Sequence, residues 1–428
     1  MRRIRLILLF GALFVGLQTV KAQDLDALGG FTPYSVFGIG DLSYSSSASN
    51  LGMGGIGVGV RDNRFVNFLN VASLTQRDTL SFMLDFGLSG KNVYLRDKNT
   101  NSAFNTVNIN NFVFSAPIKD KMAFMFGISP YSNMGYKFQS SEQNKSIIVE
   151  YGDIKYRKYG NGSLNQIFLG AAARVHKDVS VGLQGIYYFG TLTNHSDIIF
   201  STNPSLRTIE SGWRYSPTGW AVEGAVQASH KFSEDYTLTL GATYRAKTRL
   251  KGSYDRFAMA YDVIKDTILN QKYSNSVNVP GKFAVGLSLR KGERWMAGID
   301  YTRQDWSKAN FIKTPGVNFT AQAANALRAG VEYTPNRYDI RYYYKKMTYR
   351  AGAYYDQTYV SLDGKSINRI GFTLGVSLPI YRLHNSLNLA VDFGQRGAKS
   401  GNLVKENYVN FIVSLNMHDL WFIKPRYE

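Results

Sequence analysis

Residues 236–247, YTLTLGATYRAK, decide the fold. Tyr236, Leu238, Leu240, Ala242, Tyr244 and Ala246 fall on one face of an extended chain. Thr237, Thr239, Gly241, Thr243, Arg245 and Lys247 fall on the other. Such alternation marks a strand whose two faces meet different surroundings. About ten residues is also the length of a tilted strand that crosses a bilayer. Residues 179–189, 220–230, 370–380 and 409–417 obey the same rule.

Outward from that stretch, the strand-like runs come in pairs. Short turns join them at 118–121, 176–178, 233–235, 291–294, 335–337 and 382–385. Long polar loops are predicted at 139–163, 193–218, 251–280, 307–322 and 348–366. Short turns at one end and long loops at the other is the asymmetry of outer-membrane barrels, short side periplasmic. The pattern predicts an all-β chain, a transmembrane antiparallel β-barrel of about fourteen strands, even-numbered as bacterial barrels are. A soluble sandwich would instead show strands of about five or six residues. Closure also accounts for strands that carry no edge protection.

The first 22 residues read as a secretory signal peptide. Arg2, Arg3 and Arg5 precede an apolar core at 6–17, and Ala22 stands at the cleavage end. That core is about a dozen residues, short of the roughly 20 a spanning helix needs. The chain has no cysteine, which excludes a lipidated N-terminal cysteine, a disulfide framework and thiolate metal ligands. Formal charge is +19. For an exported chain that favours outer-membrane lipid and lipopolysaccharide over nucleic acid. The mean hydropathy of −0.22 suits a barrel, where only alternate residues meet lipid, and 29 Tyr and 26 Phe can supply interfacial girdles.

Ahead of the strands, residues 47–74 (SASNLGMGGIGVGVRDNRFVNFLNVASL) follow neither helix nor strand period. Gly52, Gly54, Gly55 and Gly57 let a backbone lie close against another surface, and Arg61, Asp62 and Arg64 add one charged cluster. The expectation is a plug enclosed by the barrel. The chain thus divides into signal peptide 1–22, periplasmic plug or hatch 23–77, barrel 78–417 and periplasmic tail 418–428. Glu223, Arg245, Asp300, Arg328, Glu332, Arg341 and Asp392 point inward by the alternation. Mixed charges in a confined lumen should pair, with one another or with the plug.

No chemistry is expected. Residues 52–57 match G-x-G-x-x-G but lack the preceding strand and following helix of a dinucleotide site, so no cofactor is implied. Five histidines are scattered over turns and one loop, with no serine partner, no H-E-x-x-H and no calcium loop. No catalytic or metal-binding residue is assigned. Basic-aromatic clusters at 155–159 and 342–346 are placed on outer loops, where lipopolysaccharide phosphates or another surface protein could engage them.

The glycine-rich opening, the Asn70-Val71-Ala72 that follows it, the strand count and the basic-aromatic tail together resemble the FadL/TodX-type outer-membrane transport family. The resemblance covers most of the mature chain. It implies a hatch-plugged barrel that passes hydrophobic small molecules passively, with a lateral opening at a kinked third strand. Pro130 and Gly135 mark the corresponding stretch here. Val71 replaces the proline of the family's Asn-Pro-Ala hatch motif, which loosens the carry-over of gating. The same family includes PorV-like, non-transporting relatives in Gram-negative Bacteroidota. These imply the alternative role, a non-enzymatic accessory subunit of an outer-membrane protein secretion or assembly complex, whether type IX secretion or barrel assembly.

Overall fold

Period-two alternation closes the chain into a barrel. The computed structural model describes residues 30–76, 81–96, 101–203, 205–261, 265–311, 318–380, 385–398 and 403–420. The signal peptide expected at 1–22 and the start of the plug lie outside the described residues; of the tail expected at 418–428, residues 418–420 continue the last strand and 421–428 lie outside the described residues. Fourteen antiparallel strands form the wall. They begin with β1 (Ser81–Arg96), β2 (Asn101–Lys119), β3 (Met122–Asn133 and Tyr136–Ser141), β4 (Ile154–Arg174) and β5 (Val179–Phe200). Next come β6 (Thr208–Lys231), β7 (Tyr236–Arg245 and Thr248–Tyr261), β8 (Lys265–Val279 and Lys282–Lys291) and β9 (Trp295–Asp305). The last are β10 (Phe319–Ala321 and Ala323–Tyr333), β11 (Thr348–Leu362), β12 (Lys365–Pro379), β13 (Ser386–Arg396) and β14 (Lys405–Leu420). β14 pairs with β1 from Lys405 opposite Arg96 to Leu420 opposite Ser81, which closes the ring.

The two faces of residues 236–245 separate as the sequence requires. Leu240 and Tyr244 are 53% and 58% exposed on the outside, whereas Thr239, Thr243 and Arg245 are buried. Leu169, Leu183, Trp220, Ile299, Leu327, Ile370, Phe372 and Leu374 continue the exposed apolar row on other strands. Such a band is what a hydrocarbon medium takes, while the buried polar row faces the interior.

Most of the predicted long loops are strands. β6 alone runs 24 residues, more than twice what a bilayer crossing needs. Residues 348–366 lie almost wholly in β11 and β12. Polar composition misled because a ladder projecting past a membrane needs hydrogen bonds but no lipid-facing apolar row. The second half of β8 starts after Pro280 and Gly281, where proline removes a ladder donor.

The β10–β11 connection corrects two expectations. Arg341 does not enter the lumen; it is exposed in a turn. The Asp339 carboxylate accepts the backbone N–H groups of Arg341 (2.9 Å) and Tyr342 (2.6 Å), and a short helix, Tyr343–Lys346, follows. Such local side-chain capping overrides strand alternation. The basic-aromatic residues 342–346 therefore sit at the short-turn end, not on an outer loop. The other cluster, 155–159, lies at the opposite end but in strand β4, not in a loop.

Candidate functional site

Residues 30–76 pack against the inward-facing row of the wall. They form only short elements: Pro33–Val36, Asp41–Leu42, Ala48–Leu51 and Val71–Gln76. Side chains satisfy much of the backbone that these elements leave unpaired. Asn50 Nδ2 donates to the Ile56 carbonyl (2.6 Å), and Asn67 Nδ2 to those of Gly57 (2.7 Å) and Val60 (2.9 Å). Asn70 Nδ2 donates to Val58 (2.8 Å), while its Oδ1 accepts the Ala72 N–H (3.1 Å). Val71 and Ala72, both buried, press on β4 and β5, where a Cβ on Gly182 would meet Val71 Cγ1 at 2.5 Å. With Asn70 capping the turn, the missing proline is not needed to hold it.

Contact with the wall is backbone to backbone. A Cβ on Gly241 of β7 would lie 1.9 Å from the Val58 carbonyl oxygen. One on Gly330 of β10 would lie 2.3 Å from that of Met53, and one on Gly352 of β11 2.2 Å from the Gly54 nitrogen. Gly52 meets Gly375 of β12 in the same way, and Gly59 meets Gly286 of β8. Gly54 and Gly55 also have φ of +70° and +86°, a region that favours glycine. Glycine on both sides of this seam thus has a direct steric cause.

Polar wall residues then fasten the seam. The Asp300 carboxylate accepts the N–H groups of Gly57 (2.6 Å), Val58 (2.8 Å) and Gly59 (3.4 Å). Thr373 accepts from Gly54 N–H (2.7 Å), Gln227 donates to Val60 (3.0 Å) and Ser288 to Gly59 (2.7 Å). Arg328 donates to the Gly54 carbonyl (3.0 Å), pairs with Asp356 (2.7 Å) and lies 3.6 Å over the Tyr44 ring.

Two of the three members of the charged cluster join segment to wall. Asp62 pairs with Arg64 and with Arg290 of β8 (2.7 Å), and Arg64 pairs with Glu332 of β10. Glu332 also holds Arg350 (2.9 Å) and Arg290 (3.4 Å). Arg61 stays within the segment, donating to Gln76 (3.1 Å) and Thr75 (3.0 Å). Glu223 and Arg245 pair across β6 and β7 (2.7 Å), and Asp392 accepts from Tyr354 (2.8 Å). Arg290, Arg350, Asp356 and Arg369 belong to the same inward set; Arg350 and Asp356 fall in the stretch read as a polar loop, and Arg290 and Arg369 lie just outside the turn at 291–294 and the strand at 370–380.

At Pro130 and Gly135 the wall ladder parts. β2 pairs with β3 only as far as Phe112 opposite Ile128, and β3 breaks after Asn133. The chain itself occupies the parting. Asp41 and Leu42 pair with Asn133 and Ser132 as a short added strand. Ser43 N–H donates to Tyr131 (2.9 Å), Ser45 Oγ to Pro130 (2.7 Å) and Thr32 N–H to Gly135 (2.8 Å). On the β2 side, Asn110 donates to Ser46 (2.7 Å) and the Phe104 ring stacks on Phe31 at 3.5 Å. A Cβ on Gly135 would fall 1.7 Å from the Gly30 carbonyl oxygen.

Three cavities border this arrangement. Two are small: one of about 140 Å³, polar, beside Lys91, Asp392 and Asn410, and one of about 170 Å³ that sets Glu223, Arg245 and Lys282 beside Phe68, Leu69, Phe168 and Tyr359. A third, about 880 Å³, opens at the long-connection end and is rich in aromatic side chains, among them Trp213, Tyr215, Tyr254, Phe257 and Tyr273.

A family model described as BamG matches residues 3–428. The chain belongs to the BamG family. Among solved structures, the Pseudomonas putida toluene transporter TodX superposes on this BamG-family chain with a TM-score of 0.61 at 15% identity, covering 89% of this chain and 100% of that one. A Pseudomonas aeruginosa FadL homologue gives 0.59 at 15%, covering 89% and 99%. The Ralstonia pickettii toluene transporter TbuX gives 0.55 at 16%, covering 87% and 98%. At these identities the likeness is one of fold, and it bears out the FadL/TodX-type barrel read from the sequence. Comparison with curated proteins returned no match.

Proposed function

We propose that this chain is an outer-membrane barrel, short turns toward the periplasm, plugged by residues 30–76, and that it serves as a non-enzymatic accessory subunit of an outer-membrane protein secretion or assembly complex. The observation that carries the reading is the occupied parting between β2 and β3. The place where a lateral exit would open is bridged by residues 31–46, hydrogen-bonded to both edges. The ion pairs and the glycine seam hold the rest of the plug, and the two cavities beside its charged wall contacts are small, about 140 and 170 Å³. Membership of the BamG family, rather than of one described as channels, supports the same reading. Purification from native membranes in mild detergent tests it. A stable stoichiometric complex is expected, with no faster hydrocarbon entry into vesicles carrying the barrel. A lone barrel that speeds such entry would overturn it.

One observation favours a second reading, passive passage of hydrophobic small molecules. The aromatic-lined cavity of about 880 Å³ at the long-connection end has the size and lining of a ligand pocket. The same vesicle measurement separates the two.

A further inference from the structure

At the short-turn end, a cavity of about 420 Å³ opens at the mouth of the lumen. Arg64, Arg337, Lys346 and Arg350 line it, and no carboxylate among the described residues does. Behind it, three guanidiniums (Arg64, Arg290 and Arg350) share two carboxylates, Asp62 and Glu332, so that network alone carries one unbalanced positive charge. Ser49, also in the lining, is 1% exposed, and its hydroxyl has no hydrogen-bond partner. A buried hydroxyl left without a partner is costly. An anionic group seated between Ser49 and the arginines would satisfy the hydroxyl and the excess charge together.

The surroundings identify the carrier of that group. The wall beside the cavity is closed by ladder pairs, Thr348 with Ser377 and Pro379 with Ser386. A lipid headgroup tethered to tails in the bilayer would have to cross that ladder. The adjoining turn presents Tyr338, Tyr343, Tyr344 and Ile340, from 52% to 97% exposed. A small free anion makes no use of such a surface, whereas aromatic side chains beside arginine are the usual anchors of a protein partner.

We propose that this cavity and the 334–347 turn dock an acidic segment of a partner protein, its carboxylates entering toward Ser49, Arg64 and Arg350. The proposal rests on the accessory-subunit reading and deepens it.

The test uses the full chain in detergent and a fluorescent hexaglutamate peptide. Wild type should bind at low ionic strength and release as salt rises. Arg337→Glu with Lys346→Glu, both on the turn, should weaken binding about tenfold or more, with heat-modifiable gel migration unchanged. Lys155→Glu with Lys158→Glu, at the opposite end, should leave it unaltered. Equal loss in both pairs would mean diffuse charge and overturn the proposal. So would no binding by wild type, or Arg337- and Lys346-dependent binding of anionic phospholipid nanodiscs in place of the peptide. A native complex that co-purifies while the peptide fails to bind overturns this docking site alone. Peptide binding by a barrel that purifies without partners overturns the accessory role instead.

Discussion

Arg64 and Glu332 stand 268 residues apart in the chain and form an ion pair that bolts the N-terminal segment to β10. Glu332 is buried and Arg64 partly so, and Glu332 also serves Arg350 and Arg290. Removing one partner of such a group strands its neighbours without compensation. Glu332→Gln is expected to cost about 3–5 kcal/mol, read as a lower denaturant midpoint of the heat-modifiable barrel.

Asp62 in the same network sets an acid limit. Burial alone would raise its pKa, but Arg64 and Arg290 outweigh burial and hold the carboxyl well below the usual range. A carboxyl whose pKa is lower folded than unfolded contributes stability in full above its unfolded value of about 3.9, and loses it as pH falls toward the folded value. The unfolding midpoint should therefore be flat in this term from about pH 7 to 5 and fall below about pH 4. In Asp62→Asn that acid-side slope should be shallower; an unchanged slope would remove Asp62 from the account.

The seam of glycines tolerates no side chain. Gly352→Val places atoms where the Gly54 nitrogen now lies, since even a Cβ would sit 2.2 Å away. Overpacking of this kind costs about 1–3 kcal/mol. Because β11 pairs on both sides, the segment should yield before the wall does. Limited proteolysis within residues 47–64 should speed up while the barrel keeps its gel shift.

The bridged parting can be locked. Leu42 and Ser132 are ladder partners, at a separation a disulfide can span, and the chain has no other cysteine to confuse the result. Leu42→Cys with Ser132→Cys should oxidise readily, and oxidation should leave the proposed complex with partner proteins intact. Loss of co-purifying partners on oxidation, restored by reduction, would show that residues 41–46 must move.

Lipid should be felt at Leu240. Its side chain is 53% exposed on the outer face of β7, and arginine there should cost about 2–4 kcal/mol if it lies near the bilayer midplane. Leu240→Phe should stay within about 0.5 kcal/mol. Equal effects in detergent unfolding would argue against a lipid-facing row.

The wall was legible because a closed barrel writes its two solvents into every second residue. Thr239, Leu240, Thr243 and Tyr244 each fall on the face their chemistry demands. Legibility stopped where the outer solvent changed. Arg350 and Asp356 lie on a stretch whose polar composition read as loop, although the ladder continues through it. Arg341 failed for the opposite reason, since Asp339 caps a turn that alternation cannot see. Glycine density announced close packing of residues 52–57, but not its partners. A wall glycine such as Gly352 or Gly375 carries no signal of what presses on it until the chain is folded.

That seam also imposes an order in time. The amides of Gly54 and Gly57 are translated early, yet the groups that satisfy them, Thr373 and Asp300, follow 319 and 243 residues later. Pairings at such separation bear the loop-closure cost that makes a chain slow to mature. Until β9 through β12 stand in place, the first-made stretch has no dry surface to rest on. The earliest part of the polypeptide is thus among the last to be completed.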